Sequence, residues 1–358
     1  MDQIFKVRRP RPTIIGAGLI ALDVVISSDA SQPPKLWAGG TCGNVLTILS
    51  YLGWQSYALS RLNGDTASER VKSDLTKWGV RLDFAESQPA AQTPIIVQQI
   101  RKNMAGEPFH KFSWNCPGCG AGLPSYKPLH ASAARQIATR MNDPKVFFLD
   151  RVSRGALILA EASRQKGALI VFEPSGVGDA RLFQEAVALA HVLKYSNERR
   201  KQMADIGPTD GALLEVETLG QEGLSYRSSL DSCRTDGWQH LEAYQAHAVK
   251  DTAGAGDWGT AGIIHCLGQG GLEGFQSITA PTLQDALRFG QALSTWNCRF
   301  EGARGGMYSI DKETFRSDIQ NILSGQTAIE SMPQYASRAI LDIVESICPA
   351  CTDRRQST

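Results

Sequence analysis

A glycine-rich segment in the second half of the chain carries the clearest chemical signal of the sequence. It runs from Asp251 through Gly254, Ala255 and Gly256 to Asp257, and an apolar stretch follows it. Two glycines so close together allow a sharp turn and a close approach of the backbone to a ligand. A turn that leads into a helix points unpaired N–H groups outward, where the helix dipole favours negative charge. The segment therefore predicts a phosphate cradle, and a plain helix cap at Asp257 stays open as the alternative.

Four of the eight cysteines form two C-x-x-C pairs, Cys116 with Cys119 and Cys348 with Cys351. Each pair resembles a zinc knuckle, in which a tight turn directs two thiolates at one metal, and four thiolates complete a tetrahedral structural site. The pairs lie far apart in the chain, well beyond the usual compact spacing. A shared zinc site therefore requires the tail to fold back, and two unrelated pairs or a redox pair remain alternatives.

Two nucleotide-binding patterns are absent or poorly matched. Gly16, Gly18 and Ala21 fit the loose dinucleotide fingerprint G-x-G-x-x-A. That fingerprint should open a helix, whereas Val24-Val-Ile26 continues as a strand and Pro33-Pro34 breaks any helix. The P-loop pattern G-x-x-x-x-G-K-[ST] does not occur. We therefore expect neither an NAD site nor a P-loop.

The elements that must position these residues alternate along the chain as short apolar runs and helical patterns. This alternation predicts an α/β protein with βαβ units and a mostly parallel sheet covered on both faces. The predicted strands are Thr13–Leu19, Ser56–Leu62, Ile95–Ile100, Lys145–Leu149, Ala168–Phe172, Val192–Tyr195 and Leu213–Leu219. The predicted helices are Gly43–Leu52, Ala67–Trp78, Gly155–Gln165, Ala180–Ala190, Gly259–Leu267, Leu283–Arg299 and Lys312–Leu323. Ligands in this class bind beyond the carboxyl ends of the strands.

The stretch from Ala85 to Ser125 departs from that alternation. It has strand-like character and contains Met104-Ala-Gly-Glu-Pro and Asn115-Cys-Pro-Gly-Cys-Gly, so no helix fits it. We expect a small β-rich excursion from the main sheet, of the kind that forms a lid. The domain organisation predicted is a main domain over residues 1–330 and a tail over 331–358, with a weak helical pattern at Ala336–Ile347.

Composition and charge exclude several classes of protein. The 358 residues are 42% hydrophobic and 20% charged, as in an ordinary globular protein. Lys and Arg total 37 against 36 Asp and Glu, a net charge of +1 that gives no electrostatic footprint for nucleic acid or an anionic membrane. No uncharged apolar run reaches the length of about 18 residues that spans a bilayer. Asp23 interrupts the apolar stretch after the basic N-terminus, which favours a buried strand over an export signal. We therefore predict a cytoplasmic protein with reduced thiols and with neither nucleic acid nor membrane as a partner.

Several motifs occur together, and in the right order, that resemble the ribokinase-like family, the PfkB carbohydrate kinases. Asp251-Thr-Ala-Gly-Ala-Gly-Asp257 resembles the C-terminal signature of that family. Ile15–Asp23 resembles its first strand with a substrate-holding aspartate, and Ala38–Asn44 resembles its double-glycine motif with an asparagine. Thr218–Gly223 resembles the strand and loop that lead to the nucleotide. The resemblance covers most of the chain.

This resemblance implies a Rossmann-like three-layer core with a small β lid, supplied here by residues 13–38 and 85–125. It implies transfer of the γ-phosphate of ATP to a hydroxyl, with Asp257 as the base that takes the hydroxyl proton. The turn at Gly254 and the N–H groups of Ala255, Gly256 and Asp257 would then stabilise the transferred phosphoryl group. Family lids often pair, which implies a homodimer formed through the lid.

The same resemblance implies a set of binding residues. The residues implied to bind substrate hydroxyls are Asp23, Gly39, Gly40 and Asn44, and those implied to lie near ATP are Thr218, Gly220 and Gly223. Mg²⁺ would neutralise the triphosphate. A monovalent cation often binds around the loop that contains Asp251, where Ala253 could contribute only its backbone carbonyl.

One segment departs from the family pattern. The family often has Asn or Ser after the strand at Val192–Tyr195 and Glu three residues later, which organise Mg²⁺ through water. Here the segment is Ser196-Asn-Glu198-Arg-Arg200, so arginines stand where the glutamate is expected. Glu198 in a shifted geometry, an altered Mg²⁺ arrangement with weak activity, and a simple polar helix start are the three alternatives.

The leading interpretation is an ATP-dependent kinase that acts on a sugar or a related polyol. A nucleoside kinase of the same fold is one alternative. A non-catalytic nucleotide- or sugar-binding protein with a zinc-stabilised interaction element is the other, and the missing glutamate is what supports it.

Overall fold

The computed structural model of the protein describes residues 2–29, 31–87, 92–104, 108–207, 209, 211–246, 248–326 and 347–356. The helical pattern predicted at Ala336–Ile347 lies outside these ranges except for its last residue. Within them, no helix combines the length and the apolar character needed to cross a bilayer.

The secondary structure alternates between strands and helices as the sequence predicts. The strands are β1 (Thr13–Ala17), β2 (Ala21–Ile26), β3 (Lys35–Gly39), β4 (Gln55–Leu62), β5 (Ala85–Ser87), β6 (Ile95–Lys102), β7 (Pro108–Ser113), β8 (Val146–Leu149), β9 (Leu169–Phe172), β10 (Val192–Ser196), β11 (Leu214–Thr218), β12 (Leu224–Ser228) and β13 (Gln239–Leu241). The helices are α1 (Thr41–Tyr51), α2 (Thr66–Lys77), α3 (Ala131–Arg140), α4 (Arg154–Gln165), α5 (Ala180–Leu189), α6 (Asn197–Ala204), α7 (Ala255–Leu267), α8 (Gly271–Gln276), α9 (Ala280–Asn297), α10 (Gly305–Ser309), α11 (Lys312–Leu323) and α12 (Pro349–Gln356).

The main sheet has the strand order β13-β12-β11-β10-β9-β8-β1-β4-β5. The strands from β11 to β5 are all parallel to their neighbours, and β12 and β13 add an antiparallel edge. Strands β8 and β9 are buried at every position, as expected where helices cover both faces of a parallel sheet. The predicted mostly parallel sheet is therefore confirmed.

Helices cover this sheet on both faces and give a three-layer α/β core. One hydrophobic cluster packs α1, α7, α9 and α11 against one face, with Trp258 and Trp296 at its centre. A second cluster packs α3, α4 and α5 against the other face, around Phe147, Phe172 and Phe183. Because the sheet is enclosed, the carboxyl ends of its parallel strands are where a ligand can reach it.

A second, four-stranded sheet has the order β3-β2-β6-β7. It forms from residues 21–39 and 95–113, so the predicted lid boundaries of 13–38 and 85–125 are too wide at their N-terminal ends. Thr13–Ala17 is nearly all buried and pairs with β4 and β8, and Ala85–Ser87 pairs with β4, so both belong to the main sheet. Their apolar and strand-like character is real, but it cannot reveal which of two sheets a strand joins.

Candidate active site

The helix α7 begins at the glycine turn that the sequence singled out. Gly254 has a φ of 75°, in the left-handed region, and a Cβ there would lie 2.5 Å from the Cα and the carbonyl oxygen of Ala303. Glycine is therefore required both by the turn and by the close approach of the two segments. The helix starts four residues earlier than predicted, because the sequence pattern registered only its apolar part.

The turn leaves two backbone N–H groups at the start of α7 without an acceptor among the described residues, those of Gly256 and Asp257. The N–H of Ala255 donates to the carbonyl of Thr252 at 3.2 Å, and that of Trp258 to Gly254 at 2.9 Å. The predicted phosphate cradle at Ala255, Gly256 and Asp257 thus has two free N–H groups, since the turn itself uses the third. Free N–H groups at a helix start favour a bound anion.

Asp257 is buried, with 9% of the residue exposed, and its Oδ2 accepts a hydrogen bond of 2.7 Å from Nδ2 of Asn44. Burial and the nearby carboxylate of Glu173 raise the pKa of Asp257 well above its ordinary value, and the Asn44 hydrogen bond and Lys194 act in the opposite direction. A carboxylate whose pKa moves toward neutrality is a better general base than an ordinary one. The cap interpretation does not describe this side chain, since Gly254 is the N-cap residue of α7 and no side chain bonds there.

Arg304 fixes the other end of the Asn44 amide. Its Nε donates to Asn44 Oδ1 at 3.0 Å, which leaves the amide nitrogen to face Asp257. The guanidinium is 1% exposed, and it is held by Asp74 Oδ2 at 3.1 Å and by the carbonyl of Ala38. Its second terminal nitrogen is buried and has no partner among the described residues. No sequence motif had placed Arg304 at this end of the site.

Asp23 lies on β2, beside the double glycine and near Arg304. A Cβ on Gly39 would lie 1.8 Å from Asp23 Oδ2, so glycine makes room for this carboxylate, and the N–H of Gly40 donates to it. Burial raises the pKa of Asp23 to about 7, against the lowering effects of Arg304 and of the Gly40 hydrogen bond. Its Oδ1 is buried without a partner among the described residues. The predicted residues Asp23, Gly39, Gly40, Asn44 and Asp257 are thus linked into one cluster through Arg304.

A buried ion pair lies beside the glycine turn. Lys194 Nζ contacts Glu173 Oε1 at 2.6 Å and the carbonyl of Gly256 at 3.2 Å, and Thr260 Oγ1 donates to the other oxygen of Glu173. Only 4% of the Lys194 side chain and 14% of the Glu173 side chain are exposed. The sequence motifs include neither residue. Glu173 directly follows β9, so the strand-end rule could have found it, whereas Lys194 lies in the middle of β10.

Asp150 is a third carboxylate at this edge of the sheet, directly after β8. Its Oδ1 accepts from the N–H of Leu19 at 2.9 Å, and its Oδ2 pairs with Arg151 at 2.9 Å. Burial raises its pKa, and its charge adds to the rise at Asp257. The same strand-end rule points to this residue as well.

Asp251 joins the small sheet to the core. Its Oδ2 accepts from Gln98 Nε2 on β6 at 2.6 Å and from the N–H of Gly302 at 2.8 Å, and its Oδ1 accepts from the N–H of Ala253 at 3.0 Å. The Ala253 carbonyl accepts from Asn297 at 2.7 Å. These oxygens therefore hold the loop in place, and the monovalent cation that the resemblance implied there stays a prediction.

The residues expected near the nucleotide lie at the end of β11. Thr218 Oγ1 donates to the carbonyl of Tyr195 at 3.4 Å, and the loop passes through Gly220, which has open space at its Cβ position. Gly223 has a packing role, because a Cβ there would lie 2.1 Å from the carbonyl oxygen of Leu241.

The segment after β10 forms the start of α6. Glu198 is exposed in its first turn, and no hydrogen bond or ion pair joins it to α7 among the described residues. Arg200 pairs instead with the buried Glu217 at 2.9 Å. Arg200, one of the arginines where the family has its glutamate, is therefore held by an ion pair. Glu198 has no partner among the described residues that would hold it toward the glycine turn.

The four paired cysteines form a cluster of their own. Their Sγ atoms all lie within 4.8 Å of one another. The tail does fold back to the stretch that carries Cys116 and Cys119.

Comparison with known proteins gives relatives at low identity but along nearly their whole length. No family model matches the chain. It is 23% identical to mouse ketohexokinase over 319 residues, which is 82% of this chain and 98% of the ketohexokinase. Among solved structures, an ATP-bound fructokinase from Xylella fastidiosa superposes with a TM-score of 0.64 at 16% identity, covering 87% of this chain and 98% of that one. An inosine-bound nucleoside kinase from Burkholderia thailandensis gives 0.61 at 17% identity, covering 82% and 91%.

The chain therefore has the ribokinase-like α/β fold. The resemblance to the PfkB carbohydrate kinases that its motifs predicted is confirmed.

Proposed function

We propose that this protein transfers the γ-phosphate of ATP to a hydroxyl of a sugar or a related polyol, with Asp257 as the general base. The observation that carries the proposal is the Asn44–Asp257 hydrogen bond, which joins the acceptor motifs of α1 and β2 to the glycine turn of α7. A carboxylate at a helix start that also contacts the acceptor side is positioned to work on a hydroxyl and a phosphate at once. The kinase relatives, ketohexokinase and fructokinase, support the same class of reaction.

In the proposed reaction, Asp257 takes the proton of the acceptor hydroxyl while that oxygen bonds to the γ-phosphorus and the bond to ADP breaks. The N–H groups of Gly256 and Asp257 have no acceptor among the described residues, and they would face the phosphoryl oxygens over which negative charge spreads. Lys194 adds a fixed positive charge beside the same turn. The two N–H groups and Lys194 act through position and charge, as phosphoryl transfer requires.

The acceptor end suits a ligand with hydroxyl groups. Asp23 Oδ1 is a buried acceptor without a donor, and one terminal nitrogen of Arg304 is a buried donor without an acceptor, each within the described residues. A hydroxyl both donates and accepts, so vicinal hydroxyls would satisfy both groups. A sugar presents such hydroxyls in its open-chain and cyclic forms, and so does the ribose of a nucleoside. The sugar is the simpler fit to this small polar cluster.

ATP would bind with Mg²⁺, which supplies neutralising charge on the triphosphate. Glu173 and Asp150 fit a water-mediated Mg²⁺ arrangement better than Glu198 does, because both follow strands at the catalytic edge and their charges reach Asp257. Mg²⁺ commonly keeps several waters and uses only one or two carboxylates. Thr218 and Gly220 would line the nucleotide side at the end of β11.

We further propose that the protein is cytoplasmic and pairs through its small sheet. No disulfide joins any of the eight cysteines, which fits a reducing compartment. Among the described residues, the exposed large hydrophobic side chains are all in or next to β7: Met104, Phe109, Phe112 and Trp114. Exposed apolar side chains on an edge strand are typical of a protein interface.

The test is ADP release by the purified protein with Mg²⁺ and ATP against a panel of ketoses, aldoses, polyols and nucleosides. Turnover with a sugar or polyol is the result expected. Turnover confined to nucleosides would establish the nucleoside kinase alternative. Ligand binding by calorimetry without turnover of any acceptor would favour the non-catalytic binding protein and contradict the proposal.

A further inference from the structure

We propose that Cys116, Cys119, Cys348 and Cys351 bind one structural zinc ion that fastens the C-terminal tail to the small sheet. This site is separate from the proposed catalytic cluster and does not depend on the proposed function. None of its residues takes part in the reaction described above.

The distances between the sulfur atoms fit a tetrahedral metal. Cys116 Sγ lies 3.9 Å from Cys351 Sγ, and Cys119 Sγ lies 3.8 Å from Cys348 Sγ. Four thiolates at about 2.3 Å from one zinc ion stand about 3.8 Å apart at the corners of a tetrahedron. All four sulfurs lie within 4.8 Å of one another, so one ion can reach each of them.

The first pair lies on a hairpin that continues the small sheet. Asn115 and Gly122 form an antiparallel bridge, and the N–H of Leu123 donates to the carbonyl of Trp114 at 2.7 Å. The N–H of Gly120 donates to the carbonyl of Cys116 at 2.9 Å, with Gly120 at a φ of 74°. This tight turn directs both sulfurs to one side, as a zinc knuckle does.

The second pair lies at the start of α12. Pro349 opens this helix, where its missing N–H costs nothing, and the N–H groups of Cys351 and Thr352 donate to the carbonyl of Cys348 at 3.1 and 3.0 Å. The first turn thus holds Cys348 and Cys351 on one face. Positive charge at a helix N-terminus favours thiolates over thiols.

Burial shows that the tail is docked and not merely adjacent. Cys116 is 2% exposed and Cys348 is fully buried, and both belong to the main hydrophobic cluster together with Leu123 and Ile347. Cys119 and Cys351 are half-buried, and a bound cation would neutralise four thiolates whose charges are otherwise costly at such a site. Cys42, Cys233, Cys266 and Cys298 have no such grouping among the described residues.

Two other occupants of a four-sulfur cluster make different predictions. A disulfide requires sulfur atoms at about 2.05 Å, little more than half the distances found between the facing cysteines. A tetrahedral set of four thiolates binds either zinc or iron. Zinc is the choice here because both pairs carry the turn and helix-start geometry of a closed structural site.

The test is metal analysis of the full chain, purified with a thiol reductant and without a chelator. One zinc ion per chain is expected, and Co²⁺ taken up after zinc removal should give the absorption of a tetrahedral thiolate site. The double variant C348S/C351S should lose the metal, while C266S, which changes a cysteine outside the cluster, should keep one zinc ion per chain.

A second variant guards against misfolding of the double variant. Cys351 is partly exposed, and histidine is an accepted zinc ligand beside three cysteines, so C351H should retain zinc and C351S should bind it more weakly. Four free thiols without metal, two disulfides by mass, or iron in place of zinc would each overturn the proposal.

Discussion

Asn44 is the residue through which the two halves of the candidate active site contact each other. Its oxygen accepts from Arg304 and its nitrogen donates to Asp257, so the orientation of the amide is set by a buried cation on one side. An amide held this way always presents a donor to the base. The Asn44 hydrogen bond lowers the pKa of Asp257 against the larger effect of burial. Arg304 is therefore a positioning residue that acts on the base through Asn44.

Replacing Arg304 by glutamine should impair catalysis and shift its pH dependence. Without Arg304 the Asn44 amide is free to turn, and the pKa of Asp257 should rise further. We expect kcat to fall by roughly 10- to 100-fold and the acid limb of the kcat/KM profile to move to higher pH. The matched control is R299Q, which removes another mostly buried arginine, one that pairs with Asp318. An R304Q profile that keeps the wild-type acid limb would show that Arg304 has only a structural role.

Asp23 should make acceptor binding depend on pH near neutrality. Burial raises its pKa to about 7, so the side chain is largely neutral below that value and accepts hydrogen bonds as a carboxylate only above it. The KM for the acceptor should therefore fall as pH rises through about 7, and D23N should remove this change.

The raised pKa of Asp23 should also make stability depend on pH. Because the raised pKa belongs to the folded state, the folded protein binds the extra proton, and the free energy of unfolding should decrease as pH rises from the ordinary carboxyl value to about 7. Denaturant titrations of both proteins at several pH values measure the second effect.

The sequence identified the residues of this site that belong to local motifs. Asp257, Asn44 and Asp23 come together as the resemblance implied, and each lies in a short recognisable pattern. Arg304, Lys194 and Glu173 lie in no such pattern, because their partners are distant in the chain: Asn44 and Arg304 are 260 positions apart. A hydrogen bond between such positions leaves no mark on either local sequence.

At the scale of elements, the start of α7 is the feature on which the site depends most. Gly254 holds a left-handed turn against Ala303 and thereby leaves the N–H groups of Gly256 and Asp257 free. A change in this turn moves the base and both of these N–H groups together.

Replacing Gly254 by alanine should therefore reduce both stability and turnover. The new Cβ would meet the backbone of Ala303 at 2.5 Å in a strained backbone conformation, and we expect a loss of about 1–3 kcal/mol in the free energy of unfolding. Chemical denaturation and steady-state kinetics measure the two effects. The control is G274A on α8, where a Cβ has open space. Wild-type stability and turnover in G254A would show that this turn is not required.

The sequence predicted the elements of the main sheet well, because a buried parallel strand is a short apolar run. All seven predicted strands and all seven predicted helices are present with boundaries shifted by a few residues. It missed α3, whose register has few apolar positions, and the short helices α8, α10 and α12, and it could not separate β1 from the small sheet. Sheet membership is decided by pairing partners such as β4 and β8, and local periodicity contains no information about partners.

At the scale of the whole molecule, the small sheet is joined to the core, to the C-terminal tail and to the proposed dimer interface. Gln98 ties it to the core through Asp251, and the cysteine hairpin that follows β7 ties it to the tail. Its strand β7 is an edge strand with exposed aromatic side chains. This combination of anchoring on one side and exposed apolar surface on the other fits a surface that meets a second copy of the chain.

We expect the protein to be a dimer that a charge on β7 disrupts. Phe112 is 53% exposed, so F112E places a charge in the proposed interface without altering the core. Light scattering coupled to size-exclusion chromatography should give twice the chain mass for the wild type and the chain mass for F112E. R181E changes the charge of an exposed α5 residue and should remain dimeric. A wild-type monomer at all concentrations tested would remove the interface from the account.

Whether Asp257 is the base is measured most directly by phosphate transfer in D257N, with an acceptor that the wild type phosphorylates. Asparagine keeps the size of the side chain and its contact with Asn44 but cannot take a proton. We predict a fall in kcat of about 100-fold or more, with the affinity for a non-hydrolysable ATP analogue unchanged in calorimetry. Transfer by D257N at the wild-type rate, with the analogue bound equally well, would contradict the assignment of Asp257 as the base.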